Sequence, residues 1–107
     1  MDTKNEKLKE VIREAAATYF SRESNRTSLI TITNVELFAR NSRAKVLFTV
    51  LPETQEQAAL DFMNRQLTSF REYVMENTRI MRVPFFEIAI DTGEKNRQHI
   101  DALSRNV

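Results

Sequence analysis

The sequence predicts an α+β fold in the order α-β-β-α-α-β, a three-stranded sheet with helices packed on one face. Three observations carry that expectation. An apolar stripe at helical spacing lies near the N-terminus, a second lies mid-chain, and three short runs alternate apolar with polar residues between and after them. At 107 residues the chain reads as one domain, 1–107, with its core over about residues 7–91 and a weakly patterned tail over 92–107.

Leu8, Val11, Ile12, Ala15, Ala16, Tyr19 and Phe20 draw the first stripe, while Lys7, Lys9, Glu10, Arg13 and Glu14 take the other faces. The run SRESNRTS then reads as a loop. In LITITNVELF the Ile30, Ile32 alternation slips phase before Val35 and Leu37, so a bulge near Thr33 and Asn34 is expected. In RAKVLFTVL, Ala44, Val46, Phe48 and Val50 share a face opposite Lys45, Leu47, Thr49 and Leu51. A short polar link between these runs predicts an antiparallel pair.

Pro52 ends the second strand, and Thr54 with Gln57 reads as a capping box for the next helix. Its stripe runs through Ala59, Met63, Leu67, Phe70 and Val74. Residues 54–82 are long for one helix, and Gln66-Leu67-Thr68-Ser69 is the weakest helical point. Two helices meeting there, or one kinked helix, are expected. Pro84 pushes Val83 out of the α region, so the helix is expected to run into the third strand with no loop between. There Phe86, Ile88 and Ile90 alternate inward until Asp91-Thr92-Gly93 turns the chain. The tail from Glu94, anchored by Ile100 and Leu103, reads as a short or frayed helix. Val46, Phe48, Phe86 and Ile88 are expected in the core. Met63, Met75, Met81 and the phenylalanines read as core filling.

Composition narrows the function. One glycine, Gly93, excludes a phosphate-binding loop and a dinucleotide fingerprint. One histidine and no cysteine leave no ordinary zinc site, no disulfide and no thiolate chemistry. His99 reads as an exposed or capping side chain. The carboxylates Glu6, Glu10 and Glu14, like Glu72 and Glu76, fall at helical spacing as solvated faces. No catalytic residue, metal, cofactor or small-molecule substrate is expected, and the protein is not expected to be an enzyme. The charged start MDTKNEKLKE is unlike a signal peptide, and no apolar run approaches the length of a membrane span. A cytoplasmic location without membrane contact is therefore expected.

Net charge is +1, from 16 basic and 15 acidic residues, so any attraction to nucleic acid depends on where the charges fall. Eleven of the basic residues are arginine, which forks onto phosphate and stacks on bases. Arg40, Arg43 and Lys45 crowd the β-β link. Arg65, Arg71, Arg79 and Arg82 follow in the second helical half, and Arg22 and Arg26 flank the first loop. On a continuous helix Arg71, Arg79 and Arg82 would lie within roughly 80° of one another. Arginines at a helix C-terminus also cap carbonyls, and that reading stands beside phosphate contact.

The segments TITNVELFARNSRAKVLFTVL and FREYVMENTRIMRVPFFEIAID resemble the ribosome-binding factor A family, over about Leu8 to Asp91. Val35-Glu36-Leu37 and Ala44-Lys45-Val46 stand at that family's separation. Arg71, Arg79, Arg82, Pro84, Phe86 and Asp91 match its arginine-bearing last helix, basic approach to a proline, and Phe-rich strand ending in Asp. Arg26 matches an arginine before the first strand. The pattern departs at Phe38, Arg40 and Phe85, where the family favours Ser, Asp and Glu, and at the helix junction, where it keeps a small residue and a glycine. The resemblance implies a type II KH-like fold and a monomer that binds the free small ribosomal subunit and its rRNA. It further implies a role in late assembly and 5′-end maturation of precursor rRNA, particularly in the cold, without catalysis. Arg26, Arg40, Arg43, Lys45, Arg71, Arg79 and Arg82 are the candidate rRNA-binding residues. The alternative is a KH-like protein-protein module without RNA binding. A segregated basic face favours the first reading, and an even mix of Arg and Glu the second.

Overall fold

The computed structural model describes residues 3–23 and 28–105. Helix α1 (Thr3–Glu23) is followed by strands β1 (Leu29–Phe38) and β2 (Arg43–Leu51), a 3-10 turn (Glu53–Gln55), and helices α2 (Glu56–Arg65) and α3 (Leu67–Asn77). Strand β3 (Phe85–Ile90) and helix α4 (Thr92–Arg105) complete the order. β2 is central, antiparallel to β1 and parallel to β3.

The phase slip in β1 is a bulge. Ile32 pairs with Phe48 and Asn34 with Leu47, leaving Thr33 as the extra residue. Ile30 and Ile32 before it, and Val35 and Leu37 after it, thus all face the core side with Ala44, Val46, Phe48, Val50 and Phe86. Against that face pack Ile12, Ala15, Ala16 and Phe20 of α1, Ala59 and Met63 of α2, and Phe70 and Val74 of α3. Helices α1 to α3 therefore share one face of the sheet. Val46 and Phe48 are fully buried, Phe86 is buried, and Ile88 packs against them half-buried. Val11, expected in the first stripe, lies at its exposed edge.

The second helical region departs from expectation at both ends. Thr54 does not cap α2: it lies in the 3-10 turn, α2 begins at Glu56, and no side chain caps its start. α3 stops at Asn77, five residues before Arg82. Thr78 ends it, its hydroxyl donating to the Val74 carbonyl at 2.7 Å while its backbone turns extended (φ −132°, ψ 169°). A connection over 78–84 thus separates helix and strand where none was expected. Proline acts on its own backbone and on the residue before it, so Pro84 sets the latest position at which the helix can end and not the actual one. Pro84 is itself buried, and the strand starts immediately after it.

Between α2 and α3 the break falls at Gln66, with φ −94° and ψ −1°, which needs no glycine. Its N–H donates to the Met63 carbonyl at 3.1 Å, and its Oε1 accepts the Tyr19 hydroxyl at 2.8 Å. Tyr19 also meets the rings of Phe20, Phe70 and Tyr73 at 5.2–5.5 Å, so α1 fixes the kink through both a hydrogen bond and ring contacts.

The tail expected to be short or frayed is the 14-residue α4. Asp91 caps it: Oδ1 accepts the Glu94 N–H at 3.0 Å, and the Lys95 N–H donates to the Asp91 carbonyl at 2.9 Å.

Candidate nucleic-acid interface

The β1–β2 turn is where local conformation is least ordinary. Ala39, Arg40 and Asn41 all take positive φ (52°, 55° and 65°), a conformation that L side chains avoid because Cβ crowds the backbone. The Ser42 N–H and hydroxyl both donate to the Ala39 carbonyl, at 3.1 and 2.6 Å. Asn41 Nδ2 donates to Asn5 Oδ1 of α1 at 2.7 Å. The turn is therefore anchored while Arg40 stays exposed at its centre.

Beside the turn, the Phe85 N–H donates to the Ser42 carbonyl at 3.0 Å, which joins the start of β3 to it. A groove of about 1090 Å³ opens there, bounded by the start of α1, the turn and the 80–85 segment. Lys4, Arg40 and Arg82 line it, over an apolar floor that includes Leu8, Met81 and Phe85, and none of its described lining residues is acidic. Met81 is 98% exposed and Phe85 61%. Met75 is exposed too, so of the three methionines expected in the core only Met63 is there. The helix expected to reach residue 82 ends at Asn77, which leaves Met81 off it, and alternation along β3 turns Phe85 away from the buried Phe86.

The candidate arginines do not form one helical row. With α3 ended, Arg79 and Arg82 lie off the helix, and the expected alignment with Arg71 does not occur. Arg79 lines a different groove, between α1 and α3 beside Glu14 and Tyr73. Arg71 is committed inside the fold, its Nη2 donating to the Val83 carbonyl at 2.9 Å and its Nε to Pro84 at 3.2 Å. Its guanidinium carbon stands 4.2 Å from the Phe85 ring centroid. It shares a smaller groove with Arg82 and Met81.

Arg43 pairs with Glu87 at 2.7 Å and lies 5.9 Å from the Phe38 ring. Lys45 sits between Glu36 and Glu87 in the sheet register. Both therefore belong to a mixed-charge face. Arg26 lies outside the described residues. The structure thus brings Arg40 and Arg82 together, with Arg71 behind them. Lys4, Met81 and Phe85 are the neighbours that sequence reasoning missed. For Phe85 the signal existed in the alternation of β3. For Lys4 there was none, because its place depends on how α1 meets the turn.

The other end of the sheet is built differently. Lys95 lies 3.0 Å from Glu56, and the Lys95 ammonium is pushed up by that hydrogen bond. His99 meets Glu53, whose carboxyl is held below its ordinary range by the contact. Asp91 accepts the Thr33 hydroxyl at 2.5 Å, which clips the β1 bulge to the start of α4. That bond, followed by the Glu94 N–H, lowers the Asp91 pKa. Among the described residues no group of His, Cys, Asp and Glu could hold a metal ion. No helix among them is long and apolar enough to cross a membrane.

An antiparallel β1–β2 pair, a parallel β3 and helices on one face define a type II KH-like domain of the α+β class. The ribosome-binding factor A family model matches residues 4–104. The chain belongs to the ribosome-binding factor A family. The crystal structure of ribosome-binding factor A from Thermus thermophilus is similar, with a TM-score of 0.70 and 21% identity over 79% of this chain and 92% of that one. A solution NMR structure of a Thermotoga maritima protein described as a candidate ribosome binding factor A has a TM-score of 0.64. It is 21% identical over 78% of this chain and 83% of that one. A homology model of the Thermus thermophilus factor, fitted into a cryo-EM map of its complex with 30S, gives 0.68 at 21% identity, covering 78% and 90%. No curated protein matches.

Proposed function

We propose that this protein binds the free small ribosomal subunit and its rRNA during late assembly and supports 5′-end maturation of the precursor rRNA, particularly in the cold. It acts as a cytoplasmic monomer and a binding protein, without catalysis, and its functional unit is the whole chain. The observation that carries this reading is the groove lined by both Arg40 and Arg82, with no acidic residue among its described lining. A nearly neutral protein binds RNA when its cations gather locally, because counterion release depends on the contacts made. Family membership and the 30S complex of the Thermus thermophilus relative support the partner. Contact is through phosphates and RNA shape, with Arg40 and Arg82 first, Arg43, Lys45 and Arg79 at the margins, and Arg71 holding the ground behind them.

The test is co-sedimentation of the full chain with purified small subunits over a salt series. Steep weakening with salt is expected, together with loss of binding in the Arg40→Glu, Arg82→Glu double variant. Salt-independent association that ignores the double variant would overturn the reading in favour of a protein-protein module.

A further inference from the structure

We propose that Phe85 is a stacking platform for an unpaired base, so that the groove takes a single-stranded segment of RNA. This deepens the function proposed above and rests on it. The ring itself is the first observation. Phe85 is 61% exposed, yet it is fixed: its N–H is bonded to Ser42, and the guanidinium of Arg71 lies over the ring. Arg71 is in turn held by the carbonyls of Val83 and Pro84, the two residues that lead into Phe85. A flat ring backed by a cation and open to solvent is the arrangement on which nucleobases stack, whatever their sequence.

The cations are the second observation. Among the described residues neither Arg40 nor Arg82 pairs with a carboxylate, although seven such pairs occur elsewhere in the protein. Both line the groove that Phe85 floors, so phosphates on either side of a stacked base have arginines to meet. The third is the backbone. Arg40 is the middle of three successive positive-φ residues in the short turn that closes the β1–β2 hairpin, a turn held by the Ser42 bonds to the Ala39 carbonyl. The anchored turn holds the Arg40 backbone in place at the edge of the groove. An acidic peptide would meet the same cations, but it has no need of a ring face backed by guanidinium.

The experiment measures binding of the full chain to a labelled eight-nucleotide oligoadenylate, to an RNA duplex of the same length, and to an oligoglutamate peptide. Co-sedimentation with small subunits runs in parallel. Expected are a preference for the single strand and a loss of about 5- to 150-fold on Phe85→Leu, the range of one lost base stack. Phe85→Trp should restore parental binding. Arg40→Ala with Arg82→Ala should lower the slope of log affinity against log salt by about 1.4, the value for two phosphate contacts on a single strand. Unchanged thermal midpoints identify the Phe85 effects as losses of contact. Indifference to Phe85→Leu in both assays, with the parent still on subunits, would overturn the stacking proposal and leave the subunit reading intact. Equal or tighter binding of the duplex, or of the peptide, would overturn it as well. Phe85-dependent binding of the oligonucleotide without subunit binding would support the platform while the subunit reading falls.

Discussion

The two ends of the sheet contain the same kinds of side chain and treat them in opposite ways. At the Leu51 end the charges are answered within the fold: Lys95 by Glu56, Glu53 by His99, and Asp91 by the Thr33 hydroxyl and the start of α4. At the Arg43 end, about 26 Å away along β2 at roughly 3.3 Å per residue, three successive residues hold positive φ, and although Arg43 pairs with Glu87, Arg40 and Arg82 have no carboxylate partner among the described residues. Met81 and Phe85 face water there. The difference separates what holds the fold from what it offers to a partner. The shared core, with Phe48 at its centre, is what both ends are built on.

The largest expected effect tests the core against that exposed end. Phe48→Ala removes a fully buried ring at the centre of β2 and should cost about 3–5 kcal/mol in urea unfolding. Met81→Ala, nearly all in solvent, should stay within about 0.5 kcal/mol. Comparable losses from the two would abolish the division.

Next in size is Arg71, which stands at the boundary. Arg71→Ala leaves two carbonyls without their charged donor and should cost about 2 kcal/mol. Arg71→Lys should recover less than half, since an ammonium cannot reproduce the fork. A cost under about 0.5 kcal/mol would move Arg71 to the partner side of the comparison.

How far all this was legible depends on the range of the interactions involved. The bulge at Thr33 was legible because a period-two pattern that slips phase must insert a residue to keep Ile32 and Val35 on one face. The break at Gln66 was legible as a weak helical point, and its stability without glycine follows from the Tyr19 contact, which is 47 residues away in sequence. The end of α3 was misread because Pro84 signals only the latest possible stop, while the Thr78 hydroxyl sets the actual one. That difference takes Arg79 and Arg82 off the helix on which their spacing with Arg71 was drawn. The arginines named from sequence have quite different duties, since composition does not distinguish one bonded to distant backbone carbonyls, as Arg71 is to Val83 and Pro84, from one with no carboxylate partner among the described residues. The groove was beyond sequence reasoning, because its walls come from three separate parts of the chain.

At the Leu51 end, Asp91 provides a test by pH. Asp91→Ala should cost about 1 kcal/mol, the usual value of a helix cap. Asp91→Asn keeps a capping oxygen but loses the charge, and so isolates the carboxylate. Because folding lowers the Asp91 pKa, its contribution is fully present above the unfolded value of about 3.9 and disappears as pH falls through the lower folded value. The stability gap between parent and Asp91→Asn should therefore be flat from pH 7 to 5 and close below about pH 4. A gap that grows on acidification would mean the clip to Thr33 is not carboxylate-based.

The smallest expected effect has the opposite sign and belongs to the strained turn. Ala39 holds a φ of 52°, where its Cβ costs about 1–2 kcal/mol that glycine would not incur. Glycine in turn loses more backbone entropy on folding, by about 0.5–1 kcal/mol relative to alanine. The two terms leave Ala39→Gly a net gain of roughly 0.5 kcal/mol, read as a small rise in the urea midpoint with an unchanged slope. The Ala39 carbonyl still accepts from Ser42 in the variant, so the turn keeps its closure. If this variant is more stable yet binds small subunits less well, the alanine was retained to hold Arg40 in one direction, and the strain belongs to the interface. If it is more stable and binds equally, the turn is merely tolerated, and Arg82 with Phe85 defines that end. A loss of stability would show that the turn is not strained, and the contrast between the two ends would then rest on charge alone.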